Sequence, residues 1–212
     1  TDWRDAVTQT GWRQNHYLSV SGGGEKARFR IGGGYDTEKG HIIKQGFDRF
    51  STRVALDYYV SDRITVSTNF SLTYTKTKMN SDNLLDIASK KMPNMSIYEQ
   101  DPVTGENTGR FYQMLQSASS VFDKNQKNLI NPVASAYLAK KDRRTYDLAP
   151  ELVINYRLLG TDDDHTRLDC RGSVFMSVHN QYDDSFYPAE LRTVNWQDGV
   201  NTATSGSSKS VN

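Results

Sequence analysis

Three carboxylates and an imidazole stand in a row at Asp162, Asp163, Asp164 and His165, the donor types of a divalent-cation site. Their spacing fits no standard calcium loop, which alternates its ligands, and a consecutive polar run of this kind forms a solvated turn by itself. Asp101, Pro102, Val103, Thr104 and Gly105 likewise read as a turn, without the alternate carboxylates of an EF-hand. The glycine runs at 22–24 and 32–34 resemble phosphate-binding loops only in composition. No helix signal and no Lys-Ser/Thr pair follows them, so a turn and a closely packed strand explain them better. His16, His41, His165 and His179 share no spacing, and no Ser/His/Asp or Cys/His grouping can be assembled. Cys170 is the single cysteine, which excludes an intrachain disulfide and a cysteine zinc site. No catalytic residue, metal ligand or cofactor is assigned, and the chain does not read as an enzyme.

Binding is the better reading. Tyr98, Phe111 and Tyr112, followed by Phe122, lie among Asn, Gln and Asp in a long polar stretch. Aromatic faces beside amide and carboxylate groups are what a sugar ring requires, an apolar surface to stack on and partners for its hydroxyls. Tyr98, Phe111 and Tyr112 are therefore candidate substrate-binding residues. A loop of roughly 60 residues must also build a small core of its own, and packing of these rings within the loop is the plainer use.

The elements that position this stretch are strands. In residues 64–77, Ile64, Val66, Thr68, Phe70, Leu72 and Tyr74 share one face, and Thr65, Ser67, Asn69, Ser71, Thr73 and Thr75 the other. Period two over about a dozen residues is twice the length of an ordinary soluble strand. Phe50, Val54, Leu56, Tyr58 and Val60 repeat the pattern in 49–60, and Ser61, Asp62 and Arg63 turn the chain between the two. A second long hairpin spans 144–158 and 166–178, and a weaker one 14–21 and 27–35. Pro150 predicts a bulge or break in its ladder. Residues 83–91 suit a short helix with Leu84, Leu85, Ile87 and Ala88 as its stripe.

Six strands in three hairpins thus alternate short turns with long connections, at about 36–48, 79–142 and 180–212. All short turns fall at one end and all long loops at the other, the asymmetry of a transmembrane β-barrel with short periplasmic turns and long extracellular loops. Phe50 and Tyr74 lie near the long-loop ends and Tyr58 and Tyr156 near the short-turn ends, as girdles at two membrane interfaces would. Mean hydropathy is −0.70, and the longest apolar run, Ala136 to Ala139, is four residues. A membrane helix needs roughly 20, so helical spans are excluded whereas barrel strands are not. Against 26 Lys and Arg stand 25 Asp and Glu, a balance that argues against nucleic acid as a partner. The alternative is a soluble all-β carbohydrate-binding module whose strand faces meet in a dry core. The two differ over Val54, Leu56, Phe70, Leu72, Leu152 and Ile154, which contact lipid in one and one another in the other.

The opening of the chain resembles the SusC/RagA family of TonB-linked outer-membrane transporters. The match runs from Thr1-Asp2-Trp3-Arg4-Asp5-Ala6 and Thr10-Gly11 through Gln14-Asn15-His16-Tyr17-Leu18-Ser19-Val20-Ser21-Gly22-Gly23. It continues in Gly33-Gly34-Tyr35-Asp36, in Gly40-His41-Ile42-Ile43-Lys44, and in Asp48-Arg49-Phe50-Ser51-Thr52-Arg53-Val54-Ala55-Leu56-Asp57 before Val60-Ser61-Asp62-Arg63. Met92-Pro93-Asn94 and Asn131-Pro132-Val133-Ala134 resemble the family's large loop and its return more loosely. The resemblance implies a plugged barrel of about 22 strands that imports oligosaccharides or peptides across the outer membrane of Bacteroidetes-type bacteria. It also implies a SusD-like surface lipoprotein as lid, and a TonB complex reached through the plug region. On this reading residues 1–212 are an interior segment of the barrel wall, with plug and closing strands elsewhere.

Overall fold

The computed structural model describes residues 1–112, 126, 129–160, 166–191, 196–197, 200–201 and 206–211. A short helix α1 (Trp3–Val7) precedes β1 (Trp12–Gly23), β2 (Ala27–Lys39), β3 (Gly46–Ser61) and β4 (Ile64–Met79). The large connection carries α2 (Leu84–Lys90), a small hairpin of β5 (Tyr98–Gln100) and β6 (Asn107–Phe111), and α3 (Pro132–Leu138). Then come β7 (Lys140–Leu159), β8 (Leu168–Phe175), β9 (Val178–Tyr187), a single 3-10 turn at Ala189–Leu191, the two-residue strands β10 (Trp196–Gln197) and β11 (Val200–Asn201), and β12 (Gly206–Val211).

One antiparallel sheet organises the described residues, in the order β1-β2-β3-β4-β7-β9-β12, with β8 also on β7. Its strands reach 16 residues in β3 and β4 and 20 in β7, so the chain is all-β with strands long enough to cross a bilayer at a tilt. Among the described residues the sheet does not close on itself.

The strands outrun the apolar alternation that marks them in the sequence. The first long connection therefore shortens to 40–45 and the second to 80–139. The stretch at 180–212, expected as a loop, is corrected most: β9 continues the sheet to Tyr187, and β12 adds another strand to it. Alternation there is polar, Asn180, Tyr182 and Asp184 facing Tyr146, Arg144 and Asp142 on β7. Ion pairs such as Arg143–Asp183 at 2.6 Å replace apolar contacts, so hydropathy carries no strand signal.

β8 and β9 are two halves of one strand along β7, broken at Met176 and Ser177. The register is the same on both sides, Leu148↔Val178 and Glu151↔Phe175, so no residue is inserted. Pro150 is the cause. Met176 N–H donates to Pro150 O at 3.1 Å, but the reciprocal bond needs an N–H that proline lacks, and the ladder lapses there.

The molecule's buried core is not in the sheet. Among the described residues, and apart from Val153, the buried apolar side chains belong to helices and loops, including Trp3, Val7, Leu84, Ala88, Met95, Val133 and Leu191. Many of the sheet's own large apolar residues are exposed, among them Leu18 at 74% and Ile154 at 45%, while Val54, Phe70 and Leu72 are half-buried.

Candidate functional site

Cross-strand register sorts the sheet into two faces, because directly opposed residues point the same way. Ile31, Val54, Phe70 and Pro150 form one row across β2, β3, β4 and β7. Phe29, Leu56, Thr68, Leu152 and Val174 form another. All six side chains that separate the two readings lie on this face. Among the described residues no second sheet covers it, and Leu56, Leu152 and Ile154 are exposed. A soluble sandwich core is not what this arrangement makes. An apolar face this large fits a membrane interior.

Aromatic rings bound that face. Tyr35, Phe50, Tyr74 and Tyr146 stand in one unbroken row across four strands, with Tyr74 and Tyr146 in contact at 4.7 Å between centroids. At the short-turn end, Tyr58 opposes Val66, and Tyr156 opposes both Ile64 and Cys170. From Tyr74 to Ile64 along β4 is ten residues, about 33 Å of strand. Tilted by roughly 40°, that spans about 25 Å, the height of the apolar band of an outer-membrane barrel.

The other face is polar and paired across strands. Arg49 donates to Asp36 at 2.9 and 3.1 Å, and Asn15 donates to the same carboxylate. Ser67 donates to Asp57 at 2.6 Å, Asn69 to Glu151 at 3.1 Å, and Arg157 lies 3.4 Å from Asp169. Each is a directly opposed pair, the arrangement in which cross-strand side chains meet. Such a face suits water or a polar filling.

At the long-loop end the helices and hairpin form a compact cluster. Asp2, Asn83 and Asn131 cap α1, α2 and α3 in turn. Asn131 is fully buried. Its Oδ1 accepts from Val133 and Ala134 N–H while Nδ2 donates to the carbonyls of Ile97 and Tyr112 at 2.8 and 3.2 Å. Trp3 Nε1 donates to Met92 O at 2.8 Å. Lys91 donates to Leu129 O at 2.6 Å, and burial pulls its ammonium down to about 8. Asp101, expected as a turn, accepts from Val103 and Thr104 N–H, bonds that hold its carboxyl below the usual range.

Of the candidate binding residues, Tyr98 and Phe111 are opposed across the β5–β6 hairpin and stacked, with centroids 5.3 Å apart and planes at 22°. Phe111 also meets Tyr137 of α3 at 6.2 Å. Phe111 and Tyr112 pack against the buried cluster, and Tyr98, half-buried, stacks on Phe111. Sequence reading missed Tyr137, which is 56% exposed with Lys44 Nζ 4.2 Å from its ring centre; α3 is too short for a period to reveal it. Phe122 and the 162–165 run lie outside the described residues. Among the described residues no group of three or more His, Cys, Asp or Glu could hold a metal ion. Gly32, read as a close-packed strand glycine, is one: a Cβ there would strike the Tyr17 hydroxyl.

A long-stranded antiparallel sheet, apolar and exposed on one side, polar and paired on the other, with its loops at one end, is a segment of a membrane β-barrel wall. No family model matches the chain. It is similar to the TonB-dependent receptor P39 of Formosa agariphila, 26% identical over 199 residues. It is also similar to the TonB-dependent receptor P3 of the same organism, 32% identical over 69 residues. The first match covers 93% of this chain and 17% of the relative, and the second 32% and 7%. The chain is thus similar to proteins named TonB-dependent receptors, and spans about a sixth of the length of the first of these relatives.

Proposed function

We propose that residues 1–212 form part of the wall and one large external loop of an outer-membrane TonB-dependent transporter. The intact protein imports oligosaccharides or peptides, with a SusD-like lipoprotein as lid and a TonB complex engaged through a plug outside this segment. The observation that carries this reading is the uncovered apolar face, bounded by an aromatic row at the loop end and by Tyr58 and Tyr156 near the short turns, with about 25 Å between the levels of Tyr74 and Ile64. Similarity to two proteins named TonB-dependent receptors supports the transport class, and the sequence resemblance to SusC/RagA supports the substrate class and the lid.

Within the loop, Tyr98, Phe111 and Tyr112 are proposed as the substrate-facing aromatic group. Deleting the intact gene in its source bacterium is expected to abolish energised uptake of one oligosaccharide or peptide class, and a surface lipoprotein is expected to co-purify with the protein. Unchanged uptake of every such substrate would contradict the transport reading. The substitution Tyr98→Ala is expected to lower uptake at least several-fold through a higher half-saturation concentration. Uptake unaffected by Tyr98→Ala would assign these rings to loop packing alone.

A further inference from the structure

The lipid-facing side of the sheet continues past the aromatic row. Two residues farther toward the loops, the same face carries Asp48, Lys76 and Arg144 in one row, and the row after it carries Lys39 and Lys78. These positions share the parity of Tyr35, Phe50, Tyr74 and Tyr146, so their side chains leave the sheet on the apolar side. Two residues of a tilted strand are about 5 Å of height. Interfacial aromatic rings sit at headgroup level, which places the cations at the depth of lipid phosphates.

The charges there do not cancel. Asp48 accepts from Tyr35 Oη at 3.0 Å and Thr37 Oγ1 at 2.7 Å. Asp142 and Asp184, farther along the outer row, share Lys140 at 3.5 and 3.3 Å. Among the described residues Lys39, Lys76, Lys78 and Arg144 have no ion-pair partner, and Lys39, Lys78 and Arg144 are exposed. On the polar face of the same strands Arg49 and Arg143 are paired with Asp36 and Asp183, while Arg30 and Arg53 stand exposed on the side given to water. Unpaired cations on the outward side, at headgroup depth, call for an anion supplied from outside the sheet.

We propose that Lys76, Lys78 and Arg144, with Lys39 beside them, hold the phosphate groups of a lipid in the leaflet at the loop end. The inference rests on the reading of this face as lipid-facing. The ammonium groups meet the phosphates as point charges and the guanidinium can take two oxygens at once, while acyl chains lie along Phe70, Leu72 and Leu148 below.

The test uses the intact protein, stripped of lipid in detergent and then offered lipid A carrying its phosphates or the enzymatically dephosphorylated form. Retained lipid is read by native mass spectrometry. Wild type is expected to retain the phosphorylated form preferentially. The triple variant Lys76→Gln, Lys78→Gln, Arg144→Gln is expected to lose that preference, at roughly five-fold per charge removed, while holding the dephosphorylated form as before. A Lys76→Arg, Lys78→Arg variant, which keeps the charge, is expected to behave as wild type. Equal retention of the two lipids by wild type, or an equal loss of both in the triple variant, would overturn the proposal. Those results in a protein that still needs detergent overturn this inference alone; a protein soluble without detergent overturns the membrane reading with it.

Discussion

Asn131 donates from Nδ2 to the carbonyls of Ile97 and Tyr112 and accepts at Oδ1 from two N–H groups of α3, so one buried amide joins the hairpin to a helix start. Asn131→Ala removes the cap and orphans two carbonyls, at a cost of about 2–4 kcal/mol. The expected result in the intact protein is faster proteolysis within the loop while the barrel stays resistant. Lys91 gives a pH signature to the same cluster. Burial lowers its folded pKa to about 8 from the ordinary 10.5, so between those values the unfolded loop binds more protons and stability rises with pH. Below about pH 8 the burial penalty is fully present. The urea concentration that exposes Trp3, whose ring lies 5.9 Å from Lys91 Nζ, is expected to climb from pH 8 to 10 and to stay level in Lys91→Met. An equal climb in that variant would remove Lys91 as the cause. Little of this was legible in the sequence. The Asn131-Pro132 pair offers a cap followed by a helix-starting proline, but its partners at Ile97 and Tyr112 are set by folding across 34 and 19 residues.

At the scale of strands, alternation located β3, β4 and β7 because each side chain there faces either lipid or water. The helix at 83–91 was equally legible, since Leu84 and Ala88 make its buried stripe in α2. Polar extensions of the strands were not, because Lys76, Asp142 and Asp184 alternate in no hydropathy at all. Their pairing is fixed by ladders between segments far apart, such as Lys76↔Arg144. α1, with five residues, is too short to show a period. The glycines of β2 divide by face. Gly32 lies on the polar face beneath Tyr17, whereas a methyl added to Gly33 on the lipid face would meet nothing within 4 Å. Gly32→Ala is therefore expected to displace the Tyr17 ring and to lower stability by about 1 kcal/mol. Gly33→Ala is expected to be neutral or slightly stabilising. The temperature at which the intact barrel loses its compact form on SDS gels reports both. Equal shifts for the pair would contradict the facial assignment of β2.

For the whole molecule, a mean hydropathy of −0.70 and near-zero net charge describe an average over two opposite faces and a large polar loop. Register separates what the average mixes. Val66, Phe70, Leu72 and Tyr74 of β4 stand on one side, and Ser67, Asn69, Ser71 and Thr73 on the other. Spin labels placed singly at positions 70, 71, 72 and 73 of the intact protein in lipid vesicles test this most directly, by their collision rates with dissolved oxygen and with a water-soluble nickel chelate. Labels at 70 and 72 are expected to meet oxygen and to be shielded from nickel, and labels at 71 and 73 to show the reverse. Nickel access at 70 and 72 equal to that at 71 and 73 would contradict the assignment of this face to lipid, and with it the barrel-wall account.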